Sequence, residues 1–211
     1  MKLPEWLNEL GYGNPCYETT NSVSSIVGGG LYLLPKTEIP NPPKNNSEET
    51  FRELVYLFEL QEEEREFMEA LIKKADKDLL SFFLEKCAEY QIDPYLEKVT
   101  ELKNLWGAVT GEVKLKFNRP RPFQLATYYE MPLYPMPSVS AWSASYPSGH
   151  TVQAEALSRF YSDRYPELAD EFKAIAKGIS HTRLVGGFHY PSDILAAEEL
   201  VEELWDDLYS L

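Results

Sequence analysis

The sequence predicts an all-α fold. Apolar residues recur at helical spacing along most of the chain beyond residue 46, and strand signals are weak throughout. A length of 211 residues is enough for one well-buried core, which we read as a single domain.

Residues 1–46 read as an irregular lead-in that wraps the body. Gly11, Gly13, Pro15, the run Gly28, Gly29 and Gly30, and Pro35, Pro40, Pro42 and Pro43 repeatedly break any period. A helical domain over 47–211 follows. Ser47 with Glu48, Glu49 and Thr50 marks a helix start, and Phe51, Leu54, Val55 and Phe58 continue at helical spacing. Further helices are expected over Glu63 to Lys74, Lys77 to Gln91 and Pro94 to Phe117. After Pro122 comes a long loop rich in Tyr, Met, Pro and Ser, a length that suits a lid or binding loop. Helical pattern resumes over Ser148 to Tyr165, Pro166 to His181 and Pro191 to Leu208.

The 34 acidic and 20 basic residues give a formal charge of −14, which argues against binding nucleic acid polymers or anionic lipid surfaces. The charge is unevenly placed. Eight Glu lie between Glu48 and Glu66, whereas Glu112 to Arg121 holds Lys114, Lys116, Arg119 and Arg121 against one acid. An anion site on this chain is therefore a local positive pocket on an acidic body, with Glu62 to Glu66 read as a solvated helix face. No apolar run approaches the roughly 18 residues of a membrane span. The segment Met1 to Trp6 lacks a basic region leading into an apolar run, so we expect a cytoplasmic protein. Cys16 and Cys87 are too few for a disulfide framework and read as reduced thiols.

Three short patterns carry chemistry. Lys114 and Arg121 are seven residues apart, and Pro120 and Pro122 end the helix between them, leaving Arg121 in extended chain. A guanidinium grips two phosphate oxygens in a planar fork while an ammonium adds a compact charge. In Pro147-Ser148-Gly149-His150, Ser148 suits a helix N-cap that exposes the next amides, Gly149 allows close backbone approach, and His150 stands in the first turn. In Thr182-Arg183 through His189 to Asp193, Gly186 and Gly187 break the chain and Pro191 opens the next helix. Asp193 can then fold back to accept a hydrogen bond from one ring nitrogen of His189, leaving the other free to attack. Lys116, Arg119 and His181 fall outside these roles, and we read the first two as surface charges and His181 as structural. No histidine pair or carboxylate cluster suggests a metal, and a cationic pocket would repel one.

Lys, six residues, Arg-Pro; Pro-Ser-Gly-His; and Ser-Arg, five residues, His, three residues, Asp: in this order the motifs resemble the phosphatidic-acid-phosphatase type 2 superfamily. That superfamily includes bacterial acid phosphatases, lipid phosphatases and vanadium haloperoxidases. Thr182 stands where Ser is usual and keeps the hydroxyl. The resemblance covers roughly the last half of the chain and is closest in character to the soluble acid phosphatases. It implies a helical bundle and a metal-independent phosphatase acting on small phosphomonoesters through a phosphohistidine.

On that resemblance His189 is the nucleophile, Asp193 orients it, and His150 protonates the leaving alcohol and later activates water. Lys114, Arg121, Arg183, Ser148 and the Gly149 amide hold the equatorial oxygens. No cofactor is implied for a phosphatase. Vanadate would be an inhibitor, or the prosthetic group if the chain were a haloperoxidase, a class whose chains are generally much longer. A non-catalytic phosphate-binding module is the third reading, against which stands the presence of nucleophile, orienting acid and proton donor together. Related acid phosphatases are usually exported, which makes a periplasmic location the alternative. Oligomeric state is left open. Because one imidazole must be neutral and the other protonated, activity is expected to peak at mildly acidic to neutral pH.

Overall fold

Ser47 starts the helical body: its hydroxyl accepts the Thr50 amide at 3.1 Å. A computed structural model describes residues 3–13 and 38–209. From Ser47 the first helix runs unbroken over Glu48–Lys77 (α1). It joins two helices that the sequence reading separates, because no Gly or Pro interrupts residues 48–77. Acidic Glu48 and Glu49 in its first turn and Lys74 and Lys77 in its last suit the helix dipole. Its buried face is Thr50, Glu53, Leu54, Leu57, Leu60 and Gln61, whereas Phe51 is 42% exposed. The apolar stripe is thus rotated by about one position from the expected one, because Leu57 and Leu60 dominate it.

Helices Leu80–Tyr90 (α2) and Leu96–Phe117 (α3) follow, each starting two or three residues later than expected. Asn118 closes α3 in the left-handed region (φ 44°), donating its amide to Lys114 O at 2.8 Å. The expected long loop is shortened by Pro122–Ala126 (α4) and a 3-10 turn, Thr127–Tyr129. Pro122 at the first helical position explains the early restart. Then come Gly149–Arg164 (α5), the 3-10 turn Pro166–Leu168, Ala169–Val185 (α6) and Pro191–Tyr209 (α7). Among the described residues there is no strand, and no helix is long and apolar enough to cross a membrane.

α5 is the central helix, packed on α3, α6 and α7, with α1 laid against α6. The main core packs Tyr161, Phe83 and Phe172 against one another, with ring centroids 4.8 to 6.3 Å apart, and pairs Trp106 with Trp205. A second cluster seats Leu7 from the 3-10 turn Glu5–Glu9 against Leu54, Leu57 and Leu125. Asn45 fastens that turn by donating to Leu7 O and Leu10 O. Cys87 is a buried free thiol, while Cys16 and the Gly28 to Gly30 run lie outside the described residues.

The turn between α6 and α7 carries a constraint that matters for the site. Gly187 has φ +70°, and a Cβ there would stand 2.6 Å from Gln61 Nε2. Gln61 cannot swing away freely, since that nitrogen donates to Tyr134 O and Val185 O. Gly187→Ala is therefore expected to cost about 1–3 kcal/mol, measured by denaturant unfolding. A variant as stable as the parent would show that the turn does not need the left-handed conformation.

Candidate active site

The three sequence patterns converge on one cavity of about 500 Å³ whose wall includes Lys114, Arg121, Gly149, His150, Arg183 and His189. α3 delivers Lys114, the extended N-cap of α4 is Arg121, the start of α5 delivers Gly149 and His150, and the last turn of α6 carries Arg183. Ser148 and Asp193 lie behind the wall, both fully buried.

Asp193 accepts four hydrogen bonds through its carboxylate. It takes the Ser145 hydroxyl, Arg119 Nη1 at 2.7 Å, the Tyr190 amide at 3.0 Å and His189 Nδ1 at 3.1 Å. Burial alone would raise its pKa, but the Arg119 charge and the bonds from His189 and Ser145 drive it well below the usual carboxylate range. On the other side of the ring, Arg121 Nη1 lies 2.9 Å from His189 Nε2. A guanidinium can only donate, so Nε2 is the acceptor and the ring proton sits on Nδ1, facing Asp193. Burial, and then the Arg121 charge, hold this imidazole neutral, with its pKa well below the ordinary histidine value. The unprotonated nitrogen is the one at the cavity.

The cations are anchored unequally. Arg121 donates to Ser143 O and Phe188 O, and Lys114 to the carbonyls of Ala144 and Ser145. Burial lowers the Arg121 pKa to about 10, still charged at neutral pH, and pushes Lys114 well down as well. Arg183 gives Nη2 to Asp76 at 2.8 Å and lies over the Phe188 ring, yet its buried Nε and Nη1 have no hydrogen-bond partner. Orphaned guanidinium donors in a cavity wall call for acceptor oxygens. Ser148 caps α5 as expected, its oxygen accepting the hydroxyl and amide of Thr151. That leaves the first-turn amides of a 16-residue helix at the cavity. A Cβ on Gly149 would make ordinary contacts with Thr110 and Lys114, so protein packing alone does not require glycine there. His150 is held neutral by burial and then by the Arg183 charge.

One sequence expectation is corrected. Arg119 is no surface charge: it is 2% exposed, bonded to Glu53 at 2.9 Å, to Asp193 and to Ser192, and stacked 3.8 Å above the Tyr190 ring. The turn at Asn118 and Pro120 aims it inward, where two carboxylates meet it. Lys116 is exposed, and His181 pairs with Glu64 at 2.6 Å outside the cavity wall, both as expected. Glu64 is half-buried, as is Arg65, while Glu62, Glu63 and Glu66 are exposed. Among the flanking aromatics, Tyr146, Phe188 and Tyr190 are buried packing residues, while Trp142 is exposed.

Sequence reasoning missed two carboxylates of α1. Asp76 accepts from Arg183, the Ser138 and Ser140 hydroxyls and the Val139 amide, and its pKa falls to about 2, those bonds outweighing burial. Glu53 accepts Arg119 and the Ser192 amide. The available signal was an acid on an apolar stripe, Glu53 beside Leu54 and Leu57 and Asp76 beside Ile72 and Ala75.

A buried neutral imidazole oriented by an ionised carboxylate, with cations and a helix start around it, defines a site that can hold and attack a tetrahedral oxyanion. Residues 104–197, which contain all three motifs, match the family model described as PAP2 superfamily. The chain also resembles, over part of its length, two proteins named lipid A 1-phosphatase. The one from Rhizobium johnstonii (strain DSM 114642 / LMG 32736 / 3841) is 31% identical over 90 residues, 43% of this chain and 36% of that protein. The one from Rhizobium etli (strain ATCC 51251 / DSM 11541 / JCM 21823 / NBRC 15573 / CFN 42) is 30% identical over 90 residues, 43% and 38% of the respective lengths. The match thus spans little more than a third of these relatives.

Two outcomes follow from this geometry. Arg119→Leu leaves Asp193 and Glu53 buried without their shared partner and is expected to cost about 3–5 kcal/mol in denaturant unfolding. A near-neutral result would mean that the pair is dispensable. The second concerns pH. His150 and His189 have pKa values below their unfolded value, so the unfolded chain takes up protons that the folded one refuses, and stability falls as pH drops below about 6.5. A bound dianion reverses this by raising both values. Sulfate, a dianion across this range, should raise the melting temperature more at about pH 6 than at about pH 8. An equal rise at both would show that binding takes up no proton.

Proposed function

We propose that this chain is a metal-independent phosphomonoesterase working through a phosphohistidine. The observation that carries the reading is His189 Nε2: unprotonated, at the cavity, its ring fixed by Asp193 and its surroundings lined by Arg183 donors without partners. Nε2 attacks phosphorus and forms the N–P bond while the bond to the leaving oxygen breaks. Asp193 stabilises the charge that develops on the ring. Substrate charge raises the pKa of His150, which gives its proton to the leaving oxygen and then takes one from the water that attacks the phosphohistidine, releasing inorganic phosphate. Arg121, Arg183, Lys114 and the amides at Gly149 hold the equatorial oxygens as charge moves. Ser148 caps α5 through its acceptor oxygen and keeps its hydroxyl proton to give to an equatorial oxygen.

The superfamily match of residues 104–197 and the two relatives named for a phosphatase support hydrolysis of a phosphate ester. Acid-phosphatase character and a natural substrate are extensions of that reading, and lipid A 1-phosphate belongs in the panel beside simple esters because of the relatives' name. His189→Ala is expected to abolish turnover without loss of fold, and rapid quenching of the parent should trap acid-labile, base-stable phosphate on His189. Phosphate trapped on serine, or substantial activity in the variant, would remove the nucleophile.

Arg183→Lys keeps the charge but loses the planar fork, so kcat/KM should fall sharply with little change in melting temperature. Near-parental kinetics would place Arg183 outside the reaction. Orthovanadate should compete with substrate while EDTA has no effect. Loss of hydrolysis on chelation, restored by a divalent ion, would sink the metal-independent reading, and efficient peroxide-driven bromide oxidation without phosphatase activity would favour a haloperoxidase.

A further inference from the structure

The cavity extends well beyond the anion-binding end. A Cβ on Gly149 would stand 3.6 Å from Thr110 Cγ2 and 3.9 Å from Lys114 Cε, while one on Gly107 would stand 2.9 Å from Gln153 Nε2. α3 and α5 therefore run antiparallel along the cavity, with Lys114 and Gly149 at one end and Gly107 and Gln153 at the other. Seven residues of α3 separate the two ends, roughly 10 Å at the helical rise. Glycines at 107 and 111 fall on one face of α3, and a Cβ on Gly111 would meet nothing within 4 Å. The missing side chain at Gly111 leaves the groove open, while the absence of one at Gly107 makes room for the Gln153 amide. Gln153 closes its far end, its amide donating to Lys103 O at 3.1 Å.

Charge divides the cavity sharply. The cations and both imidazoles line one end, and the rest of the wall, including Gly107, Thr110, Gly111, Leu115 and Gln153, carries no charged side chain. His150 and Gln153 are three apart on α5 and share a face. A leaving oxygen protonated by His150 thus belongs to a group that lies along the groove toward Gln153.

We infer that this groove takes the unbranched, uncharged alkyl part of a phosphomonoester, with Gly111 setting the width available to it. The inference rests on the phosphatase reading for the identity of the leaving group, but its binding half can be tested without turnover. Alkylphosphonates cannot lose their alkyl group by hydrolysis. Their affinity, measured by calorimetry from methyl to octyl, should rise by up to about fourfold per methylene and level off near six carbons. Alkyl phosphate esters should show the same rise in kcat/KM.

Gly111→Leu should flatten both slopes while its melting temperature stays at or above the parent's, because glycine is a poor residue for a helix interior. Affinity independent of chain length, a slope unchanged by Gly111→Leu in a folded variant, or a hexose 1-phosphate hydrolysed better than hexyl phosphate would overturn the groove assignment. A rising phosphonate series with no ester hydrolysed would support the groove and remove the phosphatase reading.

Discussion

Charge inside a protein must be matched, and the interior of this one is organised around matching it. Arg119 and Arg183 are buried against Glu53, Asp193 and Asp76, while Arg121 and Lys114 have no carboxylate partner: Lys114 is held by backbone carbonyls, and Arg121 by carbonyls and His189 Nε2. Removing either partner of such a pair exposes the full desolvation cost of the other, so the carboxylates fix the cations in place more firmly than packing could. The cations without a carboxylate then leave the cavity short of negative charge. A dianion completes what the fold leaves unbalanced; the pKa values of Lys114 and both imidazoles are depressed first by burial and then by the neighbouring cations.

The asymmetry around His189 follows from that arrangement. Asp193 faces Nδ1 and Arg121 faces Nε2, so one tautomer is selected from both sides. Selection from one side alone would leave the ring free to flip or to accept a second proton. Asp193 can serve because Arg119, Ser145 and the Tyr190 amide occupy its remaining acceptor positions and keep it ionised. Ring orientation is therefore traceable through Arg119 to Glu53, a residue of the first long helix.

Most of the cavity was legible in the sequence because its residues sit at short, fixed offsets set by helix ends: Ser148 before Gly149 and His150, His189 four before Asp193, Arg121 between prolines. Such offsets survive as linear patterns. Glu53 and Asp76 were not legible, because they reach the site across the fold from a helix rich in exposed Glu, where two more acids draw no notice. Arg119 was misread for a related reason: inside a basic run, nothing local distinguishes the cation that turns inward. The helices themselves were found from periodicity, but the facing of α1 was off by a position since Phe51 and Leu57 compete equally well for the core in a linear reading. The groove along α3 depends on glycines that a sequence reader takes only as weak points in a helix.

Asp76 has a wider consequence. With one carboxylate it fastens Arg183 at the end of α6 and the chain at Ser138, Val139 and Ser140, and it does so from residues that precede the superfamily segment. The motif-bearing stretch is therefore not a portable cassette. Grafted onto another scaffold without acids at the equivalent points, it would carry its own histidines and cations but lack the counter-charges of Asp76 and Glu53. The boundary of recognisable kinship and the boundary of the electrostatic unit fall at different places in this chain.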